Sequence, residues 1–202
     1  MSPTIKITKD EINALPLKAY QGPVTLVDKK AKLLPAIENL RKETALGFDT
    51  ESRPSFKKGE NFPASLIQLG GADRVWLFQI AKLGDLKPLW DLLADSSIIK
   101  AGVAIQDDIK KLQDIRNFKP AGFVEIAELS QKAGILNTGL RSLSGLLMGM
   151  RISKRAQVSN WARSDLTDVQ IQYAATDAWV SRELYLHMLN WPDKSMPAAV
   201  SE

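Results

Sequence analysis

The sequence predicts an α/β domain with a mixed central sheet flanked by helices, and three features of its pattern lead there. Short apolar runs, such as 44–52 and 97–105, alternate with segments whose apolar residues recur at helical spacing. Two of the strand runs, 64–71 and 74–80, are separated only by a Gly-rich turn, the signature of an antiparallel hairpin. The elements run strand, helix, three strands, helix, strand, then mainly helices, an order that suits a mixed sheet.

Taken in order, residues 1–21 read as an N-terminal arm with a short strand, and PVTLVD (23–28) as the first full strand. KAKLLPAIENLRKE (30–43) is a helix, because Leu33, Leu34, Ile37 and Leu40 recur at helical spacing. TALGFDTES (44–52) is the next strand, and the hairpin follows it. GDLKPLWDLLAD (84–95) reads as a helix with Asp85 as its cap, and SIIKAGVAI (97–105) as a buried strand with one lysine. DDIKKLQDI (107–115) is a helix; FVEIAELSQKAG (123–134) holds a short strand, then a helix closed by Gly134. TGLRSLSGLLMGM (138–150) is a further helix, and RISKRAQVSNWARS (151–164) a basic loop. The last helix runs from Thr167 to about Asn190, opened by a Thr167/Gln170 capping box and stopped by Pro192. No repeat or Pro/Gly/Ser-rich linker divides the chain, so one domain is expected over 22–192, with a tail at 193–202.

Composition narrows the chemistry. Apolar residues make up 45% and charged residues 25% of 202, the balance of a folding chain rather than a disordered one. Cysteine is absent, which excludes disulfides, thiol chemistry and thiolate zinc sites. The single histidine, His187, excludes multi-histidine metal sites. A bound metal must therefore take oxygen ligands, which favours Mg²⁺ or Mn²⁺. The net charge of +4 permits a polyanionic partner without demanding one. With no apolar leader and no run long enough to cross a bilayer, a cytoplasmic protein without membrane partners is expected.

Four acids fit poorly with a core. Asp49 and Glu51 sit two apart on a strand, so both side chains leave one face about 7 Å apart and repel. In the last helix Val169, Tyr173, Val180 and Leu184 share a face, and Asp177 falls inside that stripe. Taken alone, Asp177 reads first as half of a buried salt bridge, and Tyr173 as a core aromatic with its hydroxyl at the rim. Asp107 and Asp108 open the helix at 107–115. Asp107 lines up with Lys111 and Asp114 and is the better cap candidate. Asp108 shares a face with Leu112 and Ile115 and is aimed inward. If Asp49, Glu51, Asp108 and Asp177 converge, their formal charge of about minus four requires divalent cations. Two such ions about 4 Å apart are the arrangement of two-metal phosphoryl transfer.

The same residues carry a family resemblance. The chain resembles the DnaQ-like (DEDD) 3′-5′ exonucleases of ribonuclease H-like fold, closest to the ribonuclease D and Werner-syndrome-type exonuclease domains. FDTE, with Asp49 and Glu51, is similar to their first motif. AGVAIQDDIKKL is similar to the second, where the register selects Asp108. SNWARSDLTDVQIQYAATDAW is similar to the third, with Tyr173 and Asp177 as its Y-x-x-x-D pair. Another subclass carries histidine five residues before the last acid; that position is Gln172 here, so the tyrosine subclass fits.

The resemblance implies roles. Asp49, Glu51 and Asp177 would ligate one metal ion, Asp49 would bridge to a second, and Asp108 would reach a metal directly or through water. Tyr173 would position the attacking water, and the products would be nucleoside 5′-monophosphates from DNA or RNA 3′ ends. The Werner-like motif leans to DNA and the ribonuclease D relation to RNA, with DNA slightly favoured. The alternatives are a ribonuclease D-like exoribonuclease in RNA processing and a non-catalytic nucleic-acid-binding module of the same fold. All five functional positions are present, which favours the enzyme. A structural α/β protein would need cations beside the four acids. For substrate contacts, Lys154 and Arg155 of the basic loop suit phosphates, against the alternative of a solvated loop. Phe56 and Phe62, with Lys57 and Lys58, suit a terminal base and its backbone, against a plain loop anchor.

Overall fold

The computed structural model describes residues 5–57 and 59–191; Lys58, the stop at Pro192 and the expected tail at 193–202 lie outside them. Its strands are β1 (Val24–Val27), β2 (Ala45–Ser52), β3 (Ala64–Gly70), β4 (Val75–Gln79), β5 (Ile99–Gly102) and β6 (Phe123–Glu125). They form one six-stranded sheet in the order β1-β4-β3-β2-β5-β6. The β2–β3 and β3–β4 pairs are antiparallel, while β1–β4, β2–β5 and β5–β6 are parallel. The mixed sheet expected from the order of elements is therefore present.

Helices cover both faces. On one lie α2 (Lys30–Leu40), α4 (Lys87–Leu93) and α5 (Gln106–Ile115), packing Leu33, Ile37, Leu89 and Leu112 with Phe48, Ile67 and Phe78. On the other, α8 (Asp168–Leu189) crosses β2, β3, β4 and β5. Its Ala174, Ala175 and Ala178 meet Leu66 and Leu77, and its Val180 and Leu184 meet Ala45 and Ala101. Thr167 caps α8 and forms the expected reciprocal box with Gln170. The helices α6 (Ile126–Lys132) and α7 (Leu140–Met148) close that side.

Four local expectations change. Leu34 is 59% exposed while Ala36 is buried, because the inward stripe of α2 runs Leu33, Ala36, Ile37, Leu40. The helix expected over 84–95 is shorter, and a separate turn of helix precedes it. A four-residue turn, α3 (Ile80–Leu83), ends at Gly84 in a positive-φ conformation, and α4 starts only after Leu86. Asp85 does not cap α4; its Oδ1 accepts from Lys87 N at 2.9 Å within the turn. The arm holds a helix rather than a strand: α1 (Lys9–Ala14) starts with a Thr8/Glu11 capping box. Single parallel bridges tie Ile5 to Ile135 and Leu17 to Arg151. Val103–Ile105 leave β5 early, with Ala104 at φ +61°.

The lysine of β5 is fully buried. Lys100 Nζ donates to the carbonyls of Asp95 and Ile98 and lies 5.3 Å from the Phe123 ring centre. Burial lowers its pKa to about 8.

Candidate active site

β2 places Asp49 and Glu51 on the face that α8 covers. Their neighbour on that face is Gly47, paired across the ladder with Gly70. A Cβ at Gly47 would collide with the carbonyl of Ala178, and one at Gly70 would stand 2.8 Å from it. The two glycines let α8 lie directly on the sheet backbone. That close approach carries Asp177, the residue before Ala178, to the carboxylates of β2. Oxygens of Asp49, Glu51 and Asp177 all lie within 4.8 Å of one another.

Tyr173 stands one turn earlier on α8, so its ring reaches the same place. The ring packs 5.9 Å from that of Trp161, which is buried. Asp108, in the first turn of α5, stands beside the three-acid group rather than within it. It accepts a hydrogen bond from Thr50 Oγ1, on the opposite face of β2. Asp107 is not the cap of α5. The N-cap position is Ile105, and the amides of Ala104 and Ile105 donate to the Glu125 carboxylate at 2.9 Å each. Glu125 also receives Ala127 N at 3.0 Å and so caps α6.

The electrostatics are those of unneutralised acids. Burial, then the charges of Asp177 and Asp108, push Glu51 up to about 9. Burial raises Asp177 to about 7, against the neighbouring Tyr173 hydroxyl. Asp49 lies well above the usual carboxylate range, through burial and then the charges of Asp177, Glu51 and Asp108. Burial also raises Asp108, although the Thr50 hydroxyl and Lys111 oppose it. The Tyr173 phenol is raised by burial and by the Asp177 and Glu51 charges. Among the described residues no salt bridge reaches any of these four acids, and Asp177 Oδ1 has no hydrogen-bond partner. The buried salt bridge that Asp177 alone suggested is absent among the described residues. An all-carboxylate donor set with raised pKa values and an orphaned oxygen fits a hard divalent cation.

A cavity of about 420 Å³ opens over the acids, lined by Asp49, Glu51, Tyr173, Asp177, Arg141 and Lys154 among others. Arg155 lines a neighbouring cavity of about 310 Å³, which shares Tyr173 and Ser153 with the first. Phe56 lies on the loop after β2, 80% exposed and outside both cavities. In the same loop the Arg53 guanidinium sits 4.8 Å over the Phe62 ring. Sequence reasoning passed over Arg141, whose Nε is buried without a partner while its Nη2 donates to Asn13 Oδ1 at 2.8 Å. It reads as one more polar residue in a helical pattern, and its neighbour Asn13 lies far away in sequence.

A mixed sheet whose central strand ends in two acids, met by a third from a helix laid across it, defines a nuclease of ribonuclease H-like fold. The chain belongs to the 3′-5′ exonuclease family, whose sequence model matches residues 24–191. It is 30% identical over 185 residues to a 3′-5′ exonuclease of Arabidopsis thaliana, covering 86% of this chain and 64% of that one. It is 32% identical over 165 residues to ribonuclease D of Granulibacter bethesdensis, covering 80% and 41%. With the bifunctional 3′-5′ exonuclease/ATP-dependent helicase WRN of Mus musculus it shares 33% over 165 residues, covering 78% and 12%. The chain thus spans under two thirds of each of these relatives. The EXO domain of Aedes aegypti Nibbler superposes with a TM-score of 0.76 at 24% identity, covering 88% of this chain and 92% of that one. Trypanosoma brucei RNase D in complex with RNA U12 superposes with a TM-score of 0.74 at 21% identity, covering 88% and 65%. At such identities these two likenesses speak for the fold alone.

Proposed function

We propose that the protein shortens nucleic acid from the 3′ end by a reaction that depends on two divalent cations, Mg²⁺ or Mn²⁺, and releases nucleoside 5′-monophosphates. The observation that carries this is the convergence of Asp49, Glu51 and Asp177 within 4.8 Å with no cationic side chain among the described residues paired to them. Asp49, Glu51 and Asp177 would hold one ion, and Asp49 with Asp108 a second, Asp108 directly or through water. When bound, the ions supply charge neutralisation at the phosphate, an acidified water and stabilisation of the leaving oxygen.

The chain's own groups do the rest. Burial, with the neighbouring Asp177 and Glu51 charges, holds the Tyr173 phenol above its usual range, so it acts as a neutral hydrogen-bonding group that orients the attacking water, not as a base. The water oxygen bonds to phosphorus, the P–O3′ bond breaks, and O3′ leaves with a proton as the new 3′-hydroxyl. Lys154 and Arg155 would contact backbone phosphates, Lys154 from the cavity over the acids and Arg155 from its neighbour. Phe56, free of that cavity, would stack on a base. We further assign the catalytic domain to 22–192, with 1–21 as an arm.

On the sugar, the third motif favours DNA. A second reading, an exoribonuclease, is favoured by the ribonuclease D relatives and the RNA-bound structural neighbour. Matched 5′-labelled DNA and RNA oligonucleotides, incubated with Mg²⁺, Mn²⁺ or EDTA beside Asp49→Ala, test all of this. A metal-dependent ladder shortening from the 3′ end, absent in the variant, is expected, and its rate on each substrate decides the sugar. Binding without cleavage under every condition would leave the non-catalytic module.

A further inference from the structure

Buried polar atoms without a partner gather around the acids. Among the described residues they include Asp177 Oδ1, Arg141 Nε, Trp161 Nε1, Gln79 Oε1 and both polar atoms of Gln68. Gln68 is the extreme case, because it is 0% exposed and neither Nε2 nor Oε1 makes a hydrogen bond. An amide that has given up its water and gained nothing is unfavourable, and such a group in a native fold calls for an explanation.

The register supplies one. On the face covered by α8, Gln68 stands directly opposite Asp49 on one side and Leu77 on the other. Directly opposed side chains of an antiparallel pair have Cβ atoms about 4.5–5.5 Å apart. From above, α8 presents Ala174, Ala175 and Ala178 to this part of the sheet. Asp49 is therefore the polar group that the Gln68 amide flanks. The other glutamine on this face, Gln79, is opposite Leu66 and only diagonal to Gln68; its Nε2 donates to the carbonyl of Ser164 at 3.2 Å, its Oε1 accepts from no group, and the acceptor directly opposite Gln68 is Asp49. A carboxylate that ligates a cation through one oxygen leaves the other needing a donor, and that donor fixes its orientation.

We propose that Gln68 is a positioning residue for Asp49: its Nε2 donates to the Asp49 carboxylate when that group holds a divalent cation, and so orients the ligating oxygen. The inference rests on the metal-dependent reading above. As the side chains stand, the pair makes no hydrogen bond, so the amide is a donor whose use comes with the cation. The same geometry explains why a polar residue is kept among apolar neighbours of the sheet.

The substitution Gln68→Met keeps length and volume and removes the amide. Two readouts are taken on EDTA-stripped protein: the melting temperature, and the dissociation constant for Mn²⁺ by calorimetry. The melting temperature should stay level or rise, since an unpaired buried amide is gone, while Mn²⁺ binding weakens about tenfold or more. In an Asp49→Asn background the substitution should leave the residual Mn²⁺ affinity unchanged, because the pair then has nothing to lose. Gln68→Leu gives the same reading if the methionine variant does not fold. Wild-type Mn²⁺ affinity in these variants would overturn the assignment, with or without a drop in melting temperature, since the amide would then serve only the fold. A loss that persists undiminished without the Asp49 charge would also overturn it. Failure of the wild type itself to bind Mn²⁺ would sink the metal reading, which is a different result from equal binding by both proteins.

Discussion

A carboxylate on the inward face of a helix is unfavourable unless something compensates it, and among the described residues no cation pairs with Asp177. Its removal should therefore act oppositely on fold and activity. Asp177→Asn should raise the melting temperature of the cation-free protein while cutting nuclease turnover by roughly 10³-fold or more, the scale of a lost metal ligand. Tyr173→Phe keeps every ligand and loses one positioning hydroxyl, so its loss should be smaller, about 10²-fold. Paired melting curves and single-turnover kinetics check both. The pH response follows from the same crowding. Glu51, raised to about 9, and Asp177, raised to about 7, bind protons more tightly folded than unfolded. Their contribution to stability is fully present below the ordinary carboxylate range and is lost as pH rises through about 7 and 9. Melting temperature in EDTA should fall between about pH 5 and 9, and saturating Mn²⁺ should remove most of that fall. At this scale the acids were legible because they stand where apolar residues belong. Gln68 was legible only as a residue on a strand face near the site, with packing as its default reading; Arg141 and Glu125 were not legible, because each acts through a partner supplied by another element.

At the scale of elements, the site depends on how closely α8 approaches the sheet, and two glycines set that distance. Gly47 and Gly70 face each other across β2 and β3 beneath the Ala178 carbonyl. Gly47→Ala should push α8 outward, costing about 1–3 kcal/mol as an overpacked contact. It should weaken Mn²⁺ binding as well, because Asp177 rides on the displaced helix. Denaturant unfolding and calorimetry would check the pair; an unstable variant with native Mn²⁺ affinity would show that α8 does not set the site. The sequence pattern located β2, the hairpin and the long capped helix α8, whose periods and caps are local. It missed the short helix α3 and the helix α1. The first is a single turn, and its Ile80 continues the apolar run of β4 in the sequence. The Thr8/Glu11 box of the second lies in a six-residue helix whose one buried residue, Ile12, gives no period to read.

For the whole molecule, the class of fold followed from the order of elements, but the strand order did not. β1 pairs with β4 and β2 with β5, so the pairings that build the sheet join segments far apart in sequence. The same non-local logic holds the start of the chain. Residues 5–17 run along α7 and the segments on either side of it: Ile7 N donates to Asn137 at 2.8 Å and Arg151 Nε to the Leu15 carbonyl at 2.9 Å, while Asn13 accepts from Arg141. Gly145 leaves room for Ile7, Ile12 and Leu15, whose side chains would stand 3.2–3.3 Å from a Cβ there. Residues 5–17 thus brace the wall of the cavity that carries Arg141, while Tyr20, further along the arm, meets α8 by donating its N–H to Thr176 Oγ1 at 3.1 Å and accepting from Gln172 Nε2 at 2.6 Å. Deleting residues up to 17 should cost about 3 kcal/mol, from the burial of Ile12 and its neighbours and the lost hydrogen bonds. Mn²⁺ affinity should be kept, because Asp49, Glu51 and Asp177, on the cavity floor, are held by β2 and α8, and the truncation leaves the contacts of Tyr20 with α8 in place. Substrate affinity should fall, because Arg141 loses its anchor at Asn13. Urea unfolding, Mn²⁺ calorimetry and oligonucleotide binding on one truncated protein separate the three. A parallel loss of Mn²⁺ affinity would mean that floor and wall are one cooperative unit, and that the arm is part of the site's frame.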